Sequence, residues 1–569
     1  MRTRMLRHLI RVLPALALAG MVTLARGATI TIVNLDGAGE GFNDATPAAP
    51  TGGNAGTTVG QQRLLVFQQA ASIWGGILPS NVQILVNSKF DPLTCTSTSA
   101  VLGSAGAVEI FRDFSGAEFS GTWYSKALGD KLAGSDLDAA SADIAARFNS
   151  SIGNPGCMDG YSWYYGFDHN EGASQIDLLA VVLHELGHGL NFQTFADGST
   201  GALAGGYPDI FAKFLYDQAT GLHWDQETDG QRAASAVNTF KLLWDGNATR
   251  FMAPHTLQSG RATLRVNAPP AVAGDMAVGT ASFGPALASP GVTGAVVLAD
   301  DGAAPTSDGC TALVNPVQMA GNIALLDRGT CSFAIKVKNA QDAGAIGAII
   351  VNNAAGSPPP GMGGSDPTIT IPSVMVTLAD GTALKAQLAS GLNVTLRTDP
   401  VLLAGGDAQG RVMMYTPNPY QPGSSVSHFD VSCTPNLLME PAINSDLTSS
   451  VDLTRYVFED IGWLPRNTGV PPGEAPALVS LAPNAPNPFS RSTSIGYNLP
   501  RAGEADLAVY DVSGRLVKRL FRGPLPAGSH LTVWDGTGND GRRVPGGVYF
   551  AHLRVDEVLR SNRMVMLGR

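Results

Sequence analysis

The stretch VVLHELGHGLNFQT, residues 181–194, carries His184, Glu185 and His188 in the spacing H-E-x-x-H. On a helix, His184 and His188 lie one turn apart on the same face, so both imidazoles can bind one metal ion. Glu185 lies beside that face and can act on a water molecule without being a ligand. The other residues of the stretch are uncharged, as expected of a helix buried inside a domain. The pattern predicts one catalytic Zn²⁺ ion in a hydrolase rather than two unrelated histidines.

A catalytic zinc ion usually has three protein ligands, so one must come from elsewhere in the chain. The commonest continuation of the motif places a glycine at 191 and a histidine at 194, but this chain has Asn191 and Thr194. Carboxylates such as Asp209 and Asp217 lack a supporting motif. Of the nine histidines, two lie in the helix, one in the N-terminal leader and two in the C-terminal domain. The remaining candidates are His169, His223, His255 and His428.

His428 lies in the segment GSSVSHFDVSCTPNLLMEP, where a Ser-His-aromatic sequence is followed by Leu-Met. An H-E-x-x-H helix followed, after a long insertion, by such a segment resembles the leishmanolysin group of metzincin zinc peptidases. The resemblance implies that His428 is the third metal ligand. It also implies that Met439, eleven residues later, forms a methionine turn beneath the metal. Asn191 departs from the group's pattern, which usually turns on a glycine at that point.

The resemblance implies protein or peptide substrates. Glu185 would then take a proton from the attacking water and deliver it to the leaving amine. Tyr415 and His255 are candidates for stabilising the oxyanion. One alternative is a non-catalytic cell-surface binding or adhesion protein with a structural metal, which a fourth protein ligand would indicate. The other alternative is a gluzincin-type peptidase in which a glutamate, Glu227, is the third ligand.

The two motif segments are separated by a block whose composition changes near residue 268 to Ala, Gly, Pro and Val. Its sequences NIALLDRG, SFAIKVKNAQDAGA and IGAIIVNN predict a strand, a helix and a second strand parallel to the first. Residues 268–400 resemble a protease-associated (PA) domain, an accessory of secreted proteases that is thought to shape substrate access. The block contains no histidine, so it is not expected to provide a catalytic zinc ligand.

The C-terminal segment follows the Pro/Gly-rich stretch RNTGVPPGEAP. Short alternating strands such as ADLAVYDV and GVYFAHLRV predict a β-sandwich. The segment resembles the immunoglobulin-like modules of flagellar hook-cap proteins, and it is similar to C-terminal sorting domains of type IX-secreted bacterial proteins. This implies attachment to the cell surface or to secretion machinery. The loop DGTGNDG predicts a turn rather than a calcium site, because Asp540 and Gly546 replace residues that such a site needs.

The N-terminus has the pattern of a signal peptide. Four arginines precede a short apolar stretch from Val12 to Leu24, and small residues then mark cleavage after Gly27. The stretch is too short to span a bilayer, which takes about 20 residues, and no later segment is long enough, so no transmembrane anchor is expected. The net charge of −10 offers no basic surface for nucleic acid. The protein is expected to be secreted or held at the cell surface.

Export makes the five cysteines candidates for disulfides. Cys310 and Cys331 are close in sequence and lie in one block, so we expect them to pair. Pairing of Cys95 with Cys157 would leave Cys433 free, but a Cys157–Cys433 bridge is the alternative.

The fold class predicted is multidomain: an α+β zincin-like catalytic domain split by an α/β PA domain and followed by an all-β Ig-like sandwich. The predicted segments are the signal peptide (1–27), the catalytic segment with the H-E-x-x-H helix (28–267), the PA domain (268–400), the catalytic segment with the third histidine and the methionine turn (401–466), a linker (467–477) and the Ig-like sorting or attachment domain (478–569).

Overall fold

The structure is a computed structural model that describes residues 27–464 and, with short gaps, 479–567. Almost all of the predicted signal peptide and the whole predicted linker lie outside the described residues. Within the described ranges, no helix is both long enough and apolar enough to cross a membrane.

Short strands alternate with helices in the region that precedes the insertion. The strands are β1 (Ile30–Asn34), β2 (Ile84–Asp91), β3 (Gly103–Ala107), β4 (Ile110–Phe111), β5 (Tyr124–Ser125), β6 (Ile144–Asn149), β7 (Ser162–Tyr164), β8 (Gln175–Asp177), β9 (Leu215–Asp217), β10 (Leu222–His223) and β11 (Leu242–Trp244). The helices are α1 (Val59–Ile77), α2 (Lys126–Ala133), α3 (Leu178–Gly189), α4 (Asp229–Ser235) and α5 (Asn247–Thr256).

The main sheet of this region has the strand order β1-β2-β6-β3. Strands β1, β2 and β6 are parallel, whereas β3 runs antiparallel to β6 at the edge. Side chains of β2 alternate between buried and partly exposed along the strand, as the pleat of a strand with one covered face requires. Helix α3 packs against β3 and β6, so the H-E-x-x-H helix lies across this edge of the sheet.

Helix α1 fixes the position of helix α3. The Thr58 hydroxyl accepts a hydrogen bond from the backbone N–H of Gln61, which caps the start of α1. Near the other end, the buried Trp74 donates its indole N–H to the carbonyl of Leu183 at 3.0 Å. Leu183 immediately precedes His184, so α1 holds α3 at the motif itself.

Helix α3 begins after Asp177, whose carboxylate accepts hydrogen bonds from the backbone N–H groups of Leu179 and Ala180. Asp177 therefore caps the start of α3, directly after strand β8. Every residue of α3 is buried. Its lack of charged residues other than Glu185 follows from that burial, because an unpaired charge there would be strongly destabilising.

The chain rejoins the first domain after the insertion. Strand β20 (Val412–Met413) pairs antiparallel with β11, and a last helix, which runs from Thr454 to Asp460, packs on α5. The Asp460 carboxylate accepts a hydrogen bond from the indole of Trp244 at 3.0 Å. Both halves of the domain contribute to one hydrophobic core, which includes Phe67, Trp74, Leu186, Phe429, Leu438 and Trp463.

The insertion forms its own sheet of strands with helices packed on it. Its elements are β12 (Ser259–Ala268), β13 (Gly274–Met276), β14 (Gly279–Thr280), β15 (Val292–Leu298), α6 (Pro316–Met319), β16 (Ile323–Asp327), α7 (Phe333–Asp342), β17 (Gly347–Val351), β18 (Ser373–Val376), α8 (Leu378–Ala386) and β19 (Asn393–Leu403). The order is β13-β12-β19-β15-β16-β17-β18-β14. Strands β16 and β17 are parallel across α7, as predicted.

The insertion begins and ends with a pair of long strands. Strand β12 pairs antiparallel with β19 from Ser259 opposite Leu403 to Ala268 opposite Asn393. The inserted sheet therefore starts earlier than the change of composition near residue 268, because β12 belongs to it. The two ends of the insertion are adjacent, which allows the first domain to continue across it.

The C-terminal region is a sandwich of two antiparallel sheets. One has the order β21-β22-β25 and the other β24-β23-β26-β27. Trp534 and Tyr549 pack edge to face inside it, and the segment DGTGNDG is a turn between β25 and β26. The strands are β21 (Ser480–Leu481), β22 (Thr493–Leu499), β23 (Gly503–Asp511), β24 (Leu516–Leu525), β25 (Gly528–Trp534), β26 (Gly547–Val555) and β27 (Val558–Met566).

Two disulfides are present, Cys95–Cys157 and Cys310–Cys331, and Cys433 is free. This resolves the choice that the sequence left open for Cys157. Cys433 is buried, and burial raises the pKa of its thiol well above the ordinary value. A protonated, inaccessible thiol is a poor nucleophile.

We expect the folded protein to react negligibly with a thiol reagent such as DTNB. The same protein in denaturant without reductant should release one equivalent per chain, because only Cys433 is unpaired. The absorbance of the thiolate released from DTNB, measured under the two conditions, gives the number of reactive thiols per chain. Rapid reaction of the folded protein, or more than one equivalent after unfolding, would contradict the pairing.

Candidate metal centre

The side chains of His184, His188 and His428 meet in the core. Their Nε2 atoms lie 3.1 Å apart for His184 and His188, and 3.2 Å apart for each pair that includes His428. All three residues are buried. Two nitrogens bound to one tetrahedral zinc ion lie about 3.3 Å apart, because each Zn–N bond is about 2.0 Å. The spacing of the three rings therefore fits a zinc ion.

The hydrogen bonds of the three rings determine which nitrogen carries the proton. Each Nδ1 lies close to a backbone carbonyl: Leu438 at 2.7 Å for His184, Phe192 at 2.8 Å for His188, and Ser424 at 2.7 Å for His428. A carbonyl oxygen can only accept, so Nδ1 carries the proton and Nε2 keeps a lone pair.

Three Nε2 lone pairs that face one another cannot hydrogen-bond together, and they repel unless a cation lies between them. The donor set thus fits a metal ion on chemical grounds as well as on distance.

The protein environment favours the neutral form of the imidazoles. Burial lowers the pKa of His184 to about 4, against a smaller opposing effect of the Leu438 carbonyl. Burial, and then the neighbouring His184, lower the pKa of His188 to about 3. Burial is also the main cause for His428, whose pKa lies well below its usual range. Neutral imidazole is the form that binds a metal ion.

Glu185 lies outside the group of three histidines and beside strand β3. It is buried, and burial raises the pKa of its carboxyl to about 8, partly offset by the backbone N–H of Ala105. A Cβ added at Gly103 would lie 3.0 Å from the Glu185 Cγ and 3.2 Å from its Oε1. Glycine at this position therefore lets β3 lie directly against the carboxylate. A bound dication would lower the pKa of Glu185 again, because it stabilises the ionised form.

Met439 is fully buried and lies against helix α3 between the two histidines. A Cβ added at Gly187 would lie only 2.7 Å from the Met439 Sδ, so glycine allows this close approach. The Met439 carbonyl accepts a hydrogen bond from the backbone N–H of Phe429 at 2.8 Å. The turn that contains Met439 is therefore joined to the segment of His428 on one side and to α3 on the other.

Asn191 lies just after the end of the motif helix and has the left-handed conformation, with φ of 87°. This is the conformation for which glycine is usual, and asparagine is among the residues that tolerate it best. The buried Asn191 side chain also accepts a hydrogen bond from the backbone N–H of Ser125 at 2.7 Å. The departure from glycine noted in the sequence thus preserves the turn and adds a tie to the start of α2.

Two carboxylates that the sequence did not single out hold the turn before Met439. Asp452 accepts a hydrogen bond from the N–H of Leu438 at 2.6 Å, and Glu440 accepts one from the N–H of Leu437 at 2.8 Å. The carbonyl of the same residue, Leu438, accepts a hydrogen bond from His184. Asp452 and Glu440 are thereby linked to a ring of the centre. No short motif marks them, because their partners are backbone groups.

The other predicted candidates lie outside the group of three histidines. His169 binds Asp177 through Nδ1 at 2.5 Å and Ser449 through Nε2 at 2.7 Å. His223 lies 3.2 Å from Asp245, and Glu227 accepts a hydrogen bond from Thr220.

The two oxyanion candidates have other surroundings. His255 lies on helix α5. The hydroxyl of Tyr415 lies 3.3 Å from Gln421, while its backbone N–H donates to the carbonyl of His428.

Comparison with known families identifies two modules of the chain. Residues 292–384 match the PA domain, and residues 489–555 match the FlgD Ig-like domain. This chain carries a PA domain. The resemblances seen in the sequence to a PA domain and to a hook-cap Ig-like module are confirmed.

Curated relatives share only short segments with this chain. Leucine aminopeptidase 2 of Trichophyton equinum is 40% identical over 91 residues, which is 16% of this chain and 18% of the relative. The human ER degradation-enhancing alpha-mannosidase-like protein 3 is 51% identical over 51 residues, 9% of this chain and 6% of that protein. The chain thus spans less than a fifth of the length of these relatives.

Among solved structures, BSAP, a zinc aminopeptidase from Bacillus subtilis, is 27% identical, with a TM-score of 0.19 over 25% of this chain and 31% of that one. FlgD from P. aeruginosa is 28% identical, with a TM-score of 0.11 over 13% of this chain and 59% of that one.

We expect Asn191→Gly to lower the free energy of unfolding by about 1 kcal/mol, because it keeps the left-handed turn and loses one hydrogen bond. Asn191→Val should lower the free energy of unfolding clearly more, since the strained backbone adds a loss of about 1–3 kcal/mol for a β-branched residue. Urea unfolding of both variants measures the difference. Equal losses would show that the backbone conformation at 191 is unimportant.

We expect His169 to stabilise the fold more at low pH than at high pH. Its hydrogen bond to Asp177 raises the pKa of the imidazole. The contribution is therefore complete below the unfolded pKa of about 6.5 and is lost as the pH rises through the folded value. The metal-free His169→Asn variant should lose more unfolding free energy at pH 5.5 than at pH 9.

His255→Asn serves as the contrast, because burial lowers the pKa of His255 and the sign should reverse. Urea unfolding at both pH values measures both effects. A His169 effect that is independent of pH would contradict the assignment.

Proposed function

We propose that this protein is a zinc-dependent peptidase whose zincin-like catalytic domain is split by the PA domain. The single observation that carries the proposal is the convergence of three buried Nε2 lone pairs within 3.2 Å, beside a buried glutamate. His184, His188 and His428 are the proposed ligands of one ion. Met439 is the proposed floor of the site. The metzincin-like assignment rests on the position of His428 and Met439 relative to the motif.

A zinc ion bound by these residues would supply Lewis-acid polarisation of the scissile carbonyl and would lower the pKa of a water molecule to about 7. Glu185 is the proposed general base. Its carboxyl group follows His184 directly on the helix and is buried. With a dication bound beside it, this group would be ionised, and it would accept a proton from the attacking water and pass it to the leaving amine.

The number of ligands favours a catalytic over a structural ion. Within the described residues, the histidine group contains no fourth side chain of Cys, Asp, Glu or His. A structural zinc site is closed by four protein ligands, whereas a catalytic site leaves one position for water or substrate. This supports an enzyme rather than an adhesion protein. The bond of Glu227 to Thr220 also favours the histidine over a glutamate as third ligand.

The disulfides of the chain support an extracellular role for the proposed enzyme. Two disulfides favour an oxidising compartment. We propose that the substrates are extracellular proteins or peptides, that the leader directs export, and that the Ig-like domain serves attachment or secretion. Leucine aminopeptidase 2, which shares a segment of 91 residues with this chain, is named as a peptidase, and this supports a peptidase activity.

The decisive experiment compares zinc content and peptide cleavage in the wild type and two variants. Glu185→Gln should keep about one zinc per chain and lose about 10²–10⁴-fold in kcat/KM, because only the general base is removed. His428→Ala should lose zinc as well as activity. His223→Ala is the matched control and should resemble the wild type. Normal cleavage by Glu185→Gln, or unchanged zinc in His428→Ala, would contradict the proposal.

A further inference from the structure

The inserted domain touches the loop that carries the third histidine. We propose that the PA domain holds this loop, residues 415–428, in its metal-binding conformation, and that Gly356 and Ser357 are the positioning residues. The inference rests on the proposed function, in which His428 is a zinc ligand. It gives the insertion a role within the active site in addition to any role in substrate access.

The contact is a short antiparallel bridge between backbones. The N–H of Ser357 donates to the carbonyl of Asn418 at 2.8 Å, and the N–H of Asn418 donates to the carbonyl of Ser357 at 2.8 Å. The insertion thereby adds one residue of paired strand to the segment just beyond β20.

A side-chain cluster reinforces the bridge. The Thr239 hydroxyl donates to the carbonyl of Thr416 at 2.9 Å and lies 2.5 Å from the Ser357 hydroxyl. Because the single Thr239 proton is used toward Thr416, Ser357 must donate to Thr239. Three stretches of the chain meet here: one before the insertion, one within it and one after it.

The segment held by the bridge, which contains Asn418, is connected to His428 through hydrogen bonds on both of its sides. On one side, the N–H of Tyr415 donates to the His428 carbonyl at 2.9 Å, and the N–H of Val426 donates to the Tyr415 carbonyl at 2.7 Å. On the other side, the Gln421 carbonyl accepts from the N–H groups of Ser424 and Ser425, which closes a turn. That turn presents the Ser424 carbonyl to Nδ1 of His428. The bridge at Asn418 lies between these two connections.

The close approach requires a glycine at position 356. Gly356 has a φ of 120°, and an added Cβ would lie 2.6 Å from the carbonyl oxygen of Asn418. This carbonyl is the acceptor in the bridge, so a methyl group there must separate the two backbones. Gly321, also in the insertion, has a φ of 76° but nothing within 4 Å of an added Cβ. Both glycines have a positive φ, but only at Gly356 does a backbone atom block an added Cβ, so Gly321→Ala is the control for a substitution without this contact.

Loss of the bridge should act on metal affinity through the population of the competent loop. The apparent dissociation constant for zinc is inversely proportional to the fraction of chains in which His428 is correctly placed, so it rises when that fraction falls. Residues that orient a metal ligand typically contribute about 10–100-fold to affinity. His184 and His188 are fixed by helix α3 and should be unaffected.

The test compares Gly356→Ala with Gly321→Ala in the full chain. Zinc affinity is measured by competition with a chromophoric chelator, and hydrogen–deuterium exchange is followed over residues 412–430 in the zinc-free protein. Gly356→Ala should bind zinc about tenfold more weakly, and the amides of Tyr415 and Val426 should exchange faster. Gly321→Ala should match the wild type in both measurements.

Equal behaviour of Gly356→Ala and the wild type, or an equal loss in both glycine variants, would overturn the proposal. If Gly356→Ala does not fold, Thr239→Val is the second test, because it removes only the hydroxyl contacts of Thr239. This variant should also exchange faster over the loop, and an unchanged exchange rate would overturn the proposal. If the wild type itself takes up no zinc, the proposed function fails, while the exchange comparison still decides whether the insertion positions the loop.

Discussion

The arrangement of the centre depends on three hydrogen bonds from imidazole Nδ1 atoms to backbone carbonyls. Those carbonyls belong to Phe192, Ser424 and Leu438, which lie in three separate turns. Each bond fixes which ring nitrogen carries the proton and which way the ring points, so the three Nε2 atoms face a common centre. If any of these turns moved, its ring would point elsewhere. The hydrophobic core shared by the two halves of the domain is what keeps the three turns together.

Burial of the three rings makes the centre energetically unfavourable when no ion is bound. Three uncharged imidazoles and a carboxyl group are removed from water, and the nitrogen lone pairs face one another. A bound cation relieves the repulsion and stabilises ionised Glu185. In such a site, some of the free energy of metal binding is free energy of folding. The centre and the stability of the domain are therefore linked.

Local patterns in the sequence predict the local features of this centre. The apolar run around His184 and His188 predicts a buried helix, and every residue of α3 is buried. His428 is indicated by resemblance to a family, and the structure places it beside the other two rings. The PA and Ig-like modules are also recognisable, because each carries a characteristic sequence over most of its length.

Contacts made by backbone groups cannot be predicted in this way. Residue type does not show which carbonyl a ring will reach, so the roles of Ser424 and Leu438 are invisible in the sequence. The pairing of β12 with β19 joins residues far apart in sequence, so the sequence does not show that β12, from Ser259, belongs to the inserted sheet. Asn191 stands out as a departure from the motif, but its left-handed backbone and its bond to Ser125 emerge only from the fold.

The separation of the three histidines in sequence has a consequence for biosynthesis. His428 follows His188 by 240 residues, and the whole PA domain lies between them. A nascent chain that has emerged only as far as the PA domain holds at most two of the three rings in place. The proposed centre therefore cannot assemble until residue 428 has emerged and its turn has folded.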